Sequence, residues 1–499
     1  MLRNAISAIA FTAVLLAGCA PAPSGVPAST PRAPEPVSQT GGTAAPVGVD
    51  TSLAVRPSDP VQTILIDDDG SGQALRARPI DPRTLVDIPG YLPISFGHHY
   101  VARGSPDGRT IAAILWPGGS SNSGAKIHLI DTGRWIDREL ERPITNYTTA
   151  IRFDESGTNL YWTQPKESEL TPSVFALDVA TGGVRELARL AQGFYARDMV
   201  AFGTRVAAYL MPANGPTGAA EQPKNAPRIA LVDTGTGRVT EAELPVRAGS
   251  YADTTAPIDE PFRSIEPGLA WDLPRSRLYI ADAETDRVFV LDLRSGNIAG
   301  PFDPKPKRSM LDVMWSLFGS VAEAKMVSAS RQHAAISPDG TRLYVTGVRS
   351  DFAKGQDGKY HETVTPLELR VIDTSDMSEL ARRDGATTPL WLSPDGASLL
   401  FGDNQYDRSV EGYAARSDFK LHLVDTGSGY ARATLPMAGE PQLRAFDRKS
   451  RMAFVSLQHF ASGSLGYASL SLIDVGNRRI VSRRVMDRHF ADVLLLDRP

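Results

Sequence analysis

The chain has 499 residues, enough for about three ordinary domains or for one large repeat fold. Apolar residues make up 42% and charged residues 22%, with a net charge of -4, so nothing marks a surface for nucleic acid or another polyanion. A single cysteine, Cys19, excludes an intramolecular disulfide and any multi-cysteine zinc or iron–sulfur centre.

The chain opens Met-Leu-Arg-Asn, with Arg3 as its one charge, and an apolar or small run follows from Ala5 to Leu16. That run is too short to span a bilayer comfortably and reads as an export signal. It ends in Leu16-Ala17-Gly18-Cys19. This tetrad resembles the lipobox of bacterial lipoproteins. The resemblance implies that residues 1–18 are a signal peptide and that Cys19 becomes an acylated N-terminus. It further implies export and a lipid anchor as the one link to a bacterial cell membrane, on its periplasmic or outer side. Residues 19–60 are rich in Pro, Ser, Thr, Ala and Gly and nearly lack large apolar side chains. They cannot build a core and read as a tether. A flexible chain of that length reaches roughly 35 Å.

Residues 61–499 read as one all-β domain. Thr63-Ile64-Leu65-Ile66-Asp67 has the pattern of a third strand, c, and Gln73 to Ile80 of a fourth, d. Between them, Asp67-Asp68-Asp69-Gly70-Ser71-Gly72 superficially resembles a calcium loop. It lacks the bidentate Glu that such a loop needs, and it reads as a turn.

From His99 onward two signatures alternate seven times. The first is a tight turn, clearest as Ser-Pro-Asp-Gly at Ser105–Gly108, Ser337–Gly340 and Ser393–Gly396. Its weaker copies lie at Phe153–Gly157, Ala201–Gly203, Leu273–Ser276 and Asp447–Ser450. Proline presets φ, aspartate caps its own turn and glycine accepts φ > 0. The second is an apolar strand closed by aspartate and a turn former, at Asp131, Asp178, Asp233, Asp292, Asp373, Asp425 and Asp474. Each repeat thus reads as four antiparallel strands, a to d, and seven such units imply a β-propeller. Ser337 to Thr346 resembles the YVTN-type propeller repeat, and Leu278 to Gly296 resembles that group and the gluconolactonase-like propellers. The resemblance implies the fold and says little of function. Two closures stay open: seven blades with a packed N-terminal hairpin, or an eighth blade shared by the two termini through the lone strand Ala491 to Leu496.

The a–b and c–d turns share one face and are short. The other face carries long b–c loops, Pro212 to Pro227, Arg349 to Pro366, Asp403 to Asp418 and His459 to Tyr467, and long d–a links, Arg247 to Ile265 and Asp303 to Ala329. Long irregular loops on one side of a compact fold point to function there. The last link holds an amphipathic helix pattern, with Ser309 and Asp312 as a cap and Met310, Val313, Met314, Leu317, Phe318 and Val321 as its apolar stripe.

Aligning the repeats places His99, Thr148, Phe194, Glu266, Arg331, Thr387 and Glu440 at the starts of the channel-lining strands, with Tyr147, Tyr195, His333 and Arg444 near them. The candidate ligand-binding residues are His99, Tyr147, Glu266, Arg331, His333 and Glu440. Such a mixture of carboxylates, guanidiniums and imidazoles can orient a polar ligand. His99, Glu266, His333 and Glu440 are plausible imidazole and carboxylate metal ligands, but the Glu, Asn and Asp set of gluconolactonase-like propellers has no match here residue by residue, and no catalytic motif or cofactor signature is seen. The reading that follows is a binding or scaffold module at the cell envelope, for a protein, peptide or glycan partner. The alternative is a lactonase-like hydrolase using the same funnel, with or without a divalent metal.

Overall fold

The computed structural model describes residues 62–68, 75–97, 99–116, 125–144, 150–165, 171–212, 226–251, 263–304, 329–354, 360–386, 389–403, 419–447, 451–461, 464–486 and 491–496. All belong to one compact unit, Arg56–Pro499. They form eight four-stranded antiparallel blades of a β-propeller, one of them extended by two further strands. The innermost strands, in order around the ring, are His99–Gly104, Ile151–Phe153, Phe194–Phe202, Gly268–Asp272, Ala329–Ile336, Trp391–Leu392, Glu440–Asp447 and Ala491–Leu495. The blades are numbered 1 to 8 in that order. The one helical piece among the described residues is a 3₁₀ turn, Leu273–Arg275. The helix read in 309–321 lies outside them.

Strand period fixes how the blades stack. Successive side chains of a strand point to opposite faces of the sheet. In blade 1, Ile111, Ala113 and Leu115 pack against blade 8, while Ala112 and Ile114 pack against blade 2. In blade 8, Ile64 and Ile66 face blade 1 and Leu65 faces blade 7. The same alternation gives one buried apolar cluster between each pair of neighbouring blades. The core is therefore a ring of eight interfaces around a polar axis.

The two turn signatures make the expected hairpins. In blade 5 the Ser337 hydroxyl donates to Asp339 Oδ1 at 2.5 Å and accepts from the Arg342 N–H at 2.9 Å, while Asp339 also accepts from the Thr341 N–H at 3.1 Å. Blades 1 and 6 repeat this arrangement at Ser105–Asp107 and Ser393–Asp395. Gly108, Gly340 and Gly396 take φ of 66°, 68° and 72°, which a side chain would strain. The threonine after the c–d aspartate then ties the two turns together. Thr132, Thr374 and Thr426 donate their hydroxyls to the carbonyls of Gly108, Gly340 and Gly396 at 2.8, 2.6 and 2.7 Å.

Blade 8 corrects the reading of the N-terminal strands. Its order is Ala491–Leu495, Thr63–Asp68, Leu75–Pro79, Ile94–Gly97. The segment read as strand c is thus strand b, the segment read as d is c, and the outer strand begins only at Ile94. The reason is that the innermost strand comes from the other end of the chain. Its register pairs Leu65 with Val493 and Ile66 with Asp492. Asp67 and Asp68 consequently end strand b, and the rest of the run read as a calcium-like loop, 69–72, lies outside the described residues. Asp67 itself is buried against Arg76 and Arg78.

Two of the long b–c loops are largely strand. In blade 5, Arg342–Lys354 and Tyr360–Asp373 continue as one long hairpin, and in blade 7 Met452–Ala461 and Ser464–Asp474 do the same. The register runs outward without a break from Val348↔Pro366 and Arg349↔Thr365 to Lys354↔Tyr360. The d–a link after blade 3 also gains structure. Gly249–Tyr251 and Arg263–Glu266 form a hairpin whose second strand pairs in parallel with the inner strand of blade 5.

Turn aspartates hold their charge unusually well. The Ser337 hydroxyl and the Thr341 N–H lower the Asp339 carboxyl below its ordinary value, and the Thr236 N–H and hydroxyl do so for Asp233. A carboxylate lowered in the folded state stabilises it above the unfolded value of about 3.9, and that contribution fades as pH falls through the folded value. Asp339→Asn is therefore expected to melt below wild type at pH 7, by an amount equivalent to about 1 kcal/mol. The gap should close below about pH 4. A gap of equal size at every pH would contradict this origin.

Candidate functional site

Inner strands run from the face of the b–c and d–a connections toward the a–b turns. Residues at their starts, and residues just before them, therefore gather at one mouth of the channel. The structure places a cavity of about 290 Å³ there, between blades 3, 4, 5 and 6. Leu269, Met211, Ala334 and Leu390 give it apolar walls, and Arg197, Glu266, Gln332, His333 and Tyr209 give it polar ones.

Glu266 is the electrostatic centre of this mouth. It accepts from Arg331 Nε at 2.7 Å and pairs with Arg197 Nη2 at 3.5 Å. Arg331 comes opposite Glu266 through the parallel pairing of the added hairpin with blade 5. Arg197 arrives by a different device. The register of blade 3 slips between Ala196 and Asp198, so Arg197 is the extra residue of a β-bulge. Bulges re-aim a side chain without ending the strand.

Two buried polar atoms of the lining residues lack a hydrogen-bond partner, the Tyr209 hydroxyl and Gln332 Oε1. The Gln332 amide is oriented by its other end, since Nε2 donates to Asp286 Oδ1 at 2.9 Å. Unsatisfied buried groups are uncommon and costly, and beside a cavity they offer a donor and an acceptor to whatever enters. Burial raises the Tyr209 hydroxyl far above its ordinary range, so it stays protonated. Burial and the neighbouring Arg331 charge lower His333 to about 4, so its imidazole is neutral at pH 7.

Of the residues read from the sequence, Glu266, Arg331 and His333 come together here. Glu266 and Arg331 are ion-paired rather than free. Glu440 opens the inner strand of blade 7 and is buried outside this cavity. His99 opens the inner strand of blade 1, with its side chain outside the described set, and Tyr147 lies outside the described residues. Phe194, aligned with them, is a core residue between blades 2 and 3. Arg197, Tyr209 and Gln332 were not read from the sequence. A bulge leaves no composition signal, and Gln332 and Tyr209 stand one residue beside or one strand away from the aligned positions. Among the described residues no three His, Cys, Asp or Glu side chains converge as a metal site.

Deeper in the channel a second set of polar side chains bridges the inner strands. Tyr100 of blade 1 donates to Asp492 of blade 8 at 2.5 Å, and Arg444 of blade 7 stands 3.8 Å from the same carboxylate. Arg444 is again the extra residue of a bulge. On the other side, Arg152 of blade 2 reaches Asp198 of blade 3 at 2.8 Å, and Trp271 of blade 4 donates to Asp198 at 3.3 Å.

No family model matches the chain, and no curated protein matches its sequence. Among solved structures it is similar to the dihydro-haem d1 dehydrogenase NirN in complex with DHE. The two share 12% identity and a TM-score of 0.53, over 90% of this chain and 78% of that one. It also aligns with apo AztD from Citrobacter koseri, at 11% identity and TM-score 0.45, over 87% and 96% of the two chains. The β-propeller domain of the trilobed protease from Pyrococcus furiosus aligns at 11% identity and TM-score 0.38, over 76% and 94%. The fold is an eight-bladed β-propeller. At this distance the likeness extends to architecture alone.

The protonation state of His333 can be checked directly. A depressed value means that the folded state resists protonation, so stability is lost as pH falls from about 6.5 toward the folded value. The His333 ring resonance in NMR is expected to stay put between about pH 5.5 and 8, and His333→Leu should lessen the acid-side loss of stability. A titration midpoint near 6.5 would contradict burial as the cause.

Proposed function

We propose that the protein is an exported lipoprotein, built of YVTN-type repeats, that serves as a binding module at a bacterial cell envelope. On this reading Cys19 carries the acyl anchor, residues 19–60 are the tether, and the loop-rich mouth takes a segment of a protein, peptide or glycan partner. The observation that carries the reading is the mouth cavity itself. It combines apolar walls, an ion-paired Arg197–Glu266–Arg331 rim, and the unpartnered Tyr209 hydroxyl and Gln332 Oε1. Such a lining suits a ligand with hydrogen-bonding groups and a modest apolar surface.

The hydrolase alternative has the neutral His333 in its favour. Against it, the described lining has no Ser, Thr, Cys or Lys to act as a nucleophile. An imidazole lowered to about 4 is also a weak base at neutral pH.

The test is capture from detergent-solubilised envelopes with the intact mature protein. A specific partner is expected, its recovery falling at least tenfold for Arg331→Ala and for Gln332→Ala and not for the exposed Arg189→Ala. Cys19→Ala should leave the membrane fraction and still bind in detergent. Recovery no richer than a control propeller would overturn the binding reading, undiminished binding by both mouth variants would overturn the site, and an unchanged membrane fraction would overturn the anchor.

A further inference from the structure

The wall of the mouth cavity offers hydrogen bonds of a fixed sense. Gln332 is a buried part of that wall, on the inner strand of blade 5, and its amide is held from blade 4. Nε2 donates to Asp286 Oδ1 at 2.9 Å. A carboxylate only accepts, so this bond fixes which end of the amide is which. Oε1 is left at the wall without a hydrogen-bond partner. Asp286 is itself held in place. It lies in the turn between Arg277–Ala281 and Val288–Asp292 and takes a φ of 57°, which a residue with a side chain seldom adopts. The buried Arg370 of blade 5 donates Nη1 to the Asp286 carbonyl at 2.9 Å and Nε to Glu379 at 3.1 Å. Two blades thus cooperate to present one acceptor in one orientation.

The second open group is a donor. The Tyr209 hydroxyl is buried, protonated and without a partner. The carboxylates of the lining are already engaged, Glu266 by Arg197 and Arg331, and Asp198 by Arg152 at 2.8 Å. Arg197 and Arg331 stand half open to water, which solvates their remaining donors. A charge carried into the cavity would therefore lose its own water without meeting a buried free counter-charge. Met211, Leu269, Ala334 and Leu390 make the rest of the wall apolar. A volume of about 290 Å³ lies at the small end of ligand pockets, roughly 300–1,000 Å³, and takes one inserted group rather than a whole ligand. A sugar ring would turn several hydroxyls toward apolar side chains. A peptide brings a main-chain N–H, a carbonyl and an apolar side chain together.

We infer that the mouth cavity receives a peptide segment through one uncharged, apolar residue, with a main-chain N–H donated to Gln332 Oε1 and a main-chain carbonyl accepting from Tyr209. Asp286 is the positioning residue that leaves the Gln332 acceptor for the ligand. The inference rests on the binding reading of the mouth, and it narrows the ligand from protein, peptide or glycan to a peptide chain read by its backbone and one apolar side chain.

The methyl resonance of Met211, a wall residue, reports occupancy by NMR of the intact mature protein. The capped tripeptide acetyl-Ala-Leu-Ala-amide is expected to shift it saturably. Peptides with Lys or Glu in the central place are expected to bind more weakly by about tenfold or more. An analogue N-methylated at every amide keeps its carbonyls and loses its donors, and is also expected to bind more weakly by about tenfold or more. This preference for N–H should collapse in Gln332→Met and in Asp286→Ala, and survive in Asp286→Asn, which keeps an acceptor for Nε2. If Asp286 served the fold alone, its loss would weaken both peptides alike and leave the preference intact. Tyr209→Phe should weaken both peptides alike. It removes a hydroxyl that has no partner, so it should fold and keeps the test open where Gln332→Met does not. Non-saturable shifts, equal binding of the Leu, Lys and Glu peptides, tighter binding of N-acetylglucosamine, or an N–H preference retained in Gln332→Met would each overturn the inference. Selective peptide binding with failed envelope capture would overturn the envelope-partner reading and leave the peptide site standing. Capture that depends on Gln332, with no peptide selectivity, would overturn this inference alone.

Discussion

The pairing of Thr63–Asp68 with Ala491–Leu495 is the constraint on which the rest of the structure depends. A propeller blade can bury its two faces only if it has a blade on each side, so an open ring leaves two apolar faces and two sheet edges in water. The strands at the two ends of the described chain remove that exposure by completing one blade together. Leu65 and Val493 then face blade 7, and Ile64 and Ile66 face blade 1. The closing strand also carries Asp492, which accepts from Tyr100 in blade 1 and stands by Arg444 in blade 7. Closure therefore builds both the last two apolar interfaces and part of the polar channel wall.

The ring in turn divides the molecule into two faces with different physics. On one, aspartate and threonine satisfy the backbone locally, with little room for variation. On the other, chain length is spent on extended hairpins and on the strand that brings Glu266 opposite Arg331. Polar groups there are satisfied across blades rather than within them. Cross-blade satisfaction is incomplete at Tyr209 and Gln332, and those two places are where a ligand would recover hydrogen bonds. Bulges contribute by adding Arg197 and Arg444 to the channel without breaking the strands that carry them.

How much was legible in the sequence follows from how local each feature is. Pro-Asp-Gly and Asp-Thr turns encode their own geometry within five residues, so the repeat, the strand pattern and the face polarity could be read directly. Glu266 and Arg331 were legible for the same reason, since repeat alignment places them at one rim. The identity of the N-terminal strands was not, because the strand that makes Thr63–Asp68 second in its blade lies near the opposite end of the chain. The extended hairpins at Arg349 to Pro366 and His459 to Tyr467 looked like loops because their sequences are rich in Gly, Ser and charged or polar residues and carry no alternating apolar pattern; the pairing there continues that of the strands they extend. Bulges are set by pairing register, which no single strand reveals.

Hydrogen exchange of the Thr63–Asp68 amides measures closure most directly. In the full chain they are expected to exchange as slowly as those of an interior strand such as Arg205–Pro212. Deleting residues 491–499 is expected to release them while the strands of blades 3 and 4 stay protected. Fast exchange of Thr63–Asp68 in the full chain, or protection that survives the deletion, would contradict a ring closed by its two ends.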